Sequence, residues 1–251
     1  MSRAALAAAV GSALLLAGCS TATGGAGGTT PASSSPPSTA EQAPERLVVG
    51  GEVPVGSRVS VVGDSIVRGY GLEPGAAWPA LVGDALGWTV TNLGCDGGGF
   101  VRPGVCGEPI GDRADDIAET EPDVVIVVAS SNDLGTASAE VAAAIPPAVA
   151  AIVEAVPSAR LIALDSVWGP DPRPADLDAY DRALIDAVVA AGGDALEYPD
   201  PLRADGLLAA DGLHPTEAGQ QALAEAFTLA AEKAGLAQAV QRDLRATDAP
   251  E

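Results

Sequence analysis

Short runs of β-branched apolar residues alternate along this chain with alanine-rich stretches whose apolar positions recur at helical spacing. The runs at 58–62, 89–93, 124–129, 160–164 and 195–198 predict five strands. Residues 124–128 are continuous Val and Ile, as a central parallel strand covered on both faces requires. Helices are expected over 76–86, 112–119, 137–155 and 176–191, and a last one after Pro215 to about residue 234. Such alternation predicts an α/β fold with a parallel sheet between helical layers. The sequence contains no internal repeat.

The two ends read differently. Arg3 precedes an apolar stretch, 4–17, that is too short to span a bilayer comfortably. It ends in Leu16-Ala17-Gly18-Cys19, which resembles the bacterial lipoprotein signal, cleaved before a cysteine that becomes lipidated. A plain secretory signal with a chance cysteine is the alternative; the small residues before Cys19 and the polar stretch after it favour the lipoprotein. Residues 20–43 are Gly, Thr, Ser and Pro with almost no large apolar side chain, and cannot bury a core. The expected organisation is a signal peptide (1–18), a flexible tether (19–44), a folded domain (45–236) and a polar tail (237–251). The expected location is the outer face of the bacterial cytoplasmic membrane, which the chain reaches through its lipid anchor.

Composition narrows the partners. With 251 residues, the chain supports one sizeable domain. A formal net charge of −21 disfavours nucleic acid, whose phosphates need a basic footprint. Aromatic residues make up 3% of the chain, so no platform of stacking rings for sugars is advertised. Once Cys19 is assigned to the anchor, Cys95 and Cys106 remain. In an oxidising compartment the even number favours one disulfide, with two buried thiols as the alternative.

The chemistry gathers at strand ends. Gly63-Asp64-Ser65 follows the first strand and puts a serine where strand gives way to helix, with backbone donors unpaired at the helix start. Asn92-Leu93-Gly94 closes the second strand, and Ser130-Ser131-Asn132-Asp133 follows the third. Ligands of open parallel sheets bind beyond this carboxyl edge. Asp211-Gly212-Leu213-His214-Pro215 holds the only histidine. Residues i and i+3 of a turn approach to about 7 Å between Cα atoms, so the Asp211 carboxylate can hold one imidazole nitrogen while the other takes a proton. Each motif alone is ordinary turn chemistry; the set is not.

In order and spacing these motifs resemble the SGNH (GDSL-type) hydrolase family over residues 58–234. Gly69-Tyr70-Gly71 and Ala77-Trp78-Pro79-Ala80-Leu81 are similar to its thioesterase/lysophospholipase-like branch. The resemblance implies a three-layer α/β/α sandwich around a flavodoxin-like parallel sheet of about five strands. It implies an ester hydrolase in which Ser65 attacks, His214 is the base and Asp211 holds the imidazole. The oxyanion is received by Ser65 N–H, Gly94 N–H and the Asn132 amide, without cofactor or metal. A small ester or an acylated glycan or lipid is the expected substrate. Acetyl transfer on an envelope glycan and a retired, anchored binding protein are the alternatives. Two departures stand out: Gly-Asp-Ser-Ile replaces Gly-Asp-Ser-Leu, and Ser130 stands where the family usually has glycine. Val67 occupies the second glycine position of Gly-x-Ser-x-Gly, which argues against the common α/β-hydrolase. Loops 97–105 and 167–174 are expected to shape the pocket, with Trp168 either lining it or capping the core.

Overall fold

In a computed structural model of the protein the described residues are 50–197 and 200–240. The expected signal peptide, Cys19 and the tether lie outside them. So does Tyr198, the last residue of the fifth predicted strand.

Five parallel strands form one sheet in the order β2-β1-β3-β4-β5: β1 Arg58–Gly63, β2 Thr89–Gly94, β3 Val124–Val128, β4 Arg160–Leu164 and β5 Asp194–Leu196. The order reverses between β1 and β3, which opens a crevice beyond their carboxyl ends. Helices α2 (Trp78–Leu86) and α6 (Glu217–Lys233) cover one face. There Trp78, Val82, Leu223 and Phe227 pack on Val61, Ile126 and Ile162. Helices α3 (Ala114–Glu119), α4 (Ser138–Ala155) and α5 (Ala175–Ala190) cover the other. Ile117, Ile145, Ile152 and Tyr180 meet Val62, Val125 and Val127 there. The α/β/α sandwich is therefore the observed fold, and every residue of β3 is buried.

Departures from expectation have local causes. The helix expected at 112 begins as a 3-10 turn, Ile110–Arg113, and becomes α-helical at Ala114. Helix α4 runs on through Pro146 and Pro147. Both prolines face solvent, while Val141, Ile145, Val149 and Ile152 are buried on the opposite side. The backbone carbonyls that lose a partner to proline thus lie on the water-facing side. The polar tail expected from residue 237 starts later: Leu236 and Ala237 are in the core, Val53 N–H donates to Leu236 O, and Val240 N–H donates to Ala85 O. Residues 241–251 lie outside the described residues.

Candidate active site

The crevice receives one turn of helix directly from β1. This helix, α1 (Ser65–Arg68), is capped by Asp64, whose Oδ1 accepts from Ile66 N–H at 2.9 Å. Gly69 closes it in the left-handed conformation, φ 77°, where a side chain would also strike Ala77. The buried Gln220 of α6 ties this turn to the helical layer, accepting from Trp78 N–H at 2.8 Å and donating to Ile66 O at 3.1 Å. Ser65 is thereby fixed and only 6% exposed.

The histidine reaches it on a loop between β5 and α6. Leu208 and Pro215 form an antiparallel bridge, Ala209 N–H donates to His214 O, and Thr216 caps α6. Inside that loop Gly212 takes φ 69°, which lets the chain fold back on Asp211. Asp211 Oδ1 accepts from the backbone N–H groups of Leu213 and His214 at 2.9 and 3.0 Å. Asp211 Oδ2 lies 2.8 Å from His214 Nδ1, and His214 Nε2 lies 3.0 Å from Ser65 Oγ. The hydrogen bond from His214, then the two backbone N–H bonds, hold the Asp211 carboxyl down to about 2, so it stays ionised when Nδ1–H donates to it. The arrangement can draw the serine proton onto Nε2 while the carboxylate stabilises the resulting imidazolium.

The three polar motifs at the sheet edge meet as expected, but Gly94 does not take its expected part. Its N–H donates to Asn92 Oδ1 at 2.9 Å, so it is engaged within its own strand end. The glycine is required for packing: a Cβ there would lie 2.4 Å from Arg68 N and 2.8 Å from Asp64 O. Asn92 Nδ2 donates to Val67 O at 2.7 Å, so the Asn-x-Gly motif seats α1 on β2. Two other donors remain. Ser65 N–H, at the first helical position, has no intrahelical acceptor. Asn132 Nδ2 donates one hydrogen to Gly98 O at 3.0 Å and keeps a second. Gly97 N–H, in the same loop, donates to no acceptor among the described residues.

Several residues that hold the site were not singled out from the sequence. Asp133, fully buried, accepts from Phe100, Val101 and Arg102 N–H at 2.7, 3.2 and 3.0 Å and thereby fixes the loop after Gly99. Arg68 pairs with Asp96 at the start of the same loop. A Cys95–Cys106 disulfide closes it, and the bridge is the one anticipated. Ser166 and Asp181 bond each other, and Arg173 bonds both, pinning the segment after β4 to α5. Only the spacing of Asp133 next to Asn132 could have drawn attention to any of these.

Trp168 lines a cavity of about 80 Å³ together with Ile66, Val167, Leu202 and Leu213. Two of these, Ile66 and Leu213, are the chain neighbours of Ser65 and His214. Trp168 Nε1–H donates to Asp171 O at 3.1 Å, which steadies this wall. Among the described residues no group of three or more His, Cys, Asp or Glu is placed to hold a metal ion.

Residues 61–222 match the profile of the GDSL-like lipase/acylhydrolase family. No curated protein matches the chain. Solved structures share the fold. TesA is 23% identical with a TM-score of 0.55, covering 70% of this chain and 99% of its own. The psychrotrophic esterase EstA from Pseudoalteromonas sp. is 18% identical with a TM-score of 0.58, covering 70% and 97%. A family two carbohydrate esterase from Clostridium thermocellum is 21% identical with a TM-score of 0.54, covering 72% and 64%.

Proposed function

The chain belongs to the GDSL-like lipase/acylhydrolase family, and on that premise we propose a cell-surface serine ester hydrolase that works through an acyl-enzyme on Ser65. The observation that carries the reading is the unbroken line from Ser65 Oγ through His214 to Asp211, with contacts of 3.0 and 2.8 Å. His214 Nε2 takes the serine proton as Oγ attacks the ester carbonyl carbon. The tetrahedral intermediate collapses, the C–O bond to the alcohol breaks, and His214 returns the proton to the leaving oxygen. Water then repeats the sequence on the acyl-enzyme. Ser65 N–H, the free hydrogen of the Asn132 amide and Gly97 N–H, in place of the engaged Gly94, receive the oxyanion. Each such donor is worth roughly 3–4 kcal/mol in the transition state.

The cavity lined by the chain neighbours of Ser65 and His214 supports a short acyl group. An apolar cavity of about 150 Å³ accommodates benzene, so about 80 Å³ suits a group about half that size. This favours, as a second reading, removal or transfer of acetyl groups on an envelope glycan. A p-nitrophenyl ester series from acetate to decanoate tests the first reading, with acetate to butyrate expected to turn over fastest. Transfer of label from an acetylated glycan to an added sugar tests the second, and absence of turnover on every ester overturns both.

The lipobox-like stretch 16–19 supports an anchor through Cys19 on the outer face of the cytoplasmic membrane. One acyl chain binds only marginally and two hold stably. Cys19→Ala should move the enzyme from the membrane to the soluble fraction; unchanged fractionation would rule the anchor out.

A further inference from the structure

Asp64 and Ser130 stand at the carboxyl ends of the neighbouring strands β1 and β3, and both are buried, 5% and 2% exposed. Ser130 Oγ lies 2.8 Å from Asp64 Oδ2, 2.9 Å from Gly98 O and 3.1 Å from Asn132 N. The Asn132 N–H donates to it. The other two neighbours are both acceptors if Asp64 is ionised, and a serine hydroxyl has one proton to give. One of the two short oxygen–oxygen contacts would then set lone pair against lone pair. A proton on Asp64 Oδ2 removes the conflict. Oδ2–H donates to Ser130 Oγ, Ser130 O–H donates to Gly98 O, and Oδ1 keeps its bond from Ile66 N–H. Every group in the chain is then satisfied.

We propose that Asp64 is kept as a neutral carboxylic acid and that Ser130 relays its hydrogen bond to the Gly98 carbonyl, which makes Ser130 a positioning residue for the Asn132 amide. The positioning role rests on the ester-hydrolase reading; the protonation does not. Burial pushes the Asp64 carboxyl up, against the pull of His214 and of the bonds that its ionised form would accept from Ser130, Ile66 and Val67. Among the described residues no cationic side chain forms an ion pair with it. The Gly98 carbonyl takes hydrogen bonds from both Ser130 and Asn132 Nδ2, at 2.9 and 3.0 Å. Fixing that oxygen fixes the plane of the amide and the direction of its second N–H. Asp64 also caps the helix that begins with Ser65. The relay therefore couples the placement of the nucleophile to that of an oxyanion donor, with a proton on Asp64 setting the direction of the Asp64–Ser130 and Ser130–Gly98 bonds.

Infrared difference spectra and kinetics of the full-length protein test this. At neutral pH the wild type should show a protonated-carboxyl C=O band that is missing in Asp64→Asn and shifted in Ser130→Ala, where its acceptor is gone. Ser130→Ala should lower kcat on the order of tenfold with little change in KM, since a misplaced donor acts in the transition state. Asp64→Asn can donate to Ser130 through its amide and accept from Ile66 through its carbonyl, and should lose less kcat than Ser130→Ala. The proposal is overturned if no such band is present, or if it does not respond to Ser130→Ala. Wild-type kcat in Ser130→Ala, or an Asp64→Asn loss as large as that of Ser130→Ala, overturns the positioning role. If no ester is turned over, the hydrolase reading fails while the band still decides the protonation of Asp64.

Discussion

The Tyr70 ring lies against the His214 imidazole, with centroids 4.3 Å apart and planes tilted by 30°. Tyr70 is 47% exposed, and a ring packed at this distance restricts rotation of the imidazole. An aromatic pair of this kind is worth about 0.5–1.5 kcal/mol, or roughly two- to tenfold in rate. Tyr70→Ala should lower kcat/KM within that range and Tyr70→Phe should restore it. An alanine variant with unaltered kcat/KM would mean that the ring does not position the base.

Gly94 carries a second expectation, concerning stability. A methyl group there would lie 2.4 Å from Arg68 N, a backbone atom that cannot move without displacing α1. Overpacking usually costs about 1–3 kcal/mol. Gly94→Ala should fall at or above the upper end of that range in urea unfolding, with turnover largely lost. Wild-type stability in this variant would contradict the close approach of β2 and α1.

These two contacts show where the sequence is readable and where it is not. Alternating apolar runs were enough for the strand–helix order because burial on both faces forces continuous Val and Ile into β3. The meeting of Ser65, Asp211 and His214 was legible because each falls at a strand end or in a turn whose geometry follows from local spacing. Gly94 was misread because a glycine conserves its appearance whether it supplies a donor or a clearance. Distinguishing these requires knowing that α1 crosses above it. Asp133, Gln220 and the Ser130–Asp64 contact join segments 31 to 154 residues apart, and nothing local announces such pairings. The buried Leu236 was hidden for a similar reason, as the partner of its carbonyl, Val53, lies at the opposite end of the domain.

Besides the Arg68–Asp96 pair and the bonds to Gly98 O, the loop bearing Gly97 and Gly98 is held by the Cys95–Cys106 bridge and by three bonds to Asp133. Closing a loop this short contributes on the order of 3 kcal/mol in the chain-entropy account. Cys95→Ser with Cys106→Ser should therefore reduce stability by about that much and lower kcat by less than about tenfold, because Asp133 still holds the loop. Asp133→Ala should be far more damaging to kcat. Equal kcat losses in the two variants would show that the bridge, not Asp133, sets the loop.

Asp211 gives a pH dependence with a definite sign. Its carboxyl is at about 2 in the folded protein against an ordinary 3.8, so the unfolded chain binds more protons between those values. Its contribution to stability is fully present above the ordinary value and is lost as pH falls through about 2. Buried Asp64 has the opposite sign, contributing more as pH falls and losing that contribution as pH rises through its raised folded value. The urea midpoint of wild type should exceed that of Asp211→Asn near neutral pH, and the gap should close toward pH about 2. A gap that persists there would mean that the carboxylate bonds are not what lowers the group.

Phosphonate-ester labelling followed by peptide mass mapping most directly tests the claim that His214 activates Ser65 for attack. The account predicts a single covalent adduct on the peptide containing Ser65 in the wild type, its formation abolished in Ser65→Ala and slowed by several orders of magnitude in His214→Ala. An adduct at another residue, or labelling of Ser65 at the wild-type rate in His214→Ala, would contradict it.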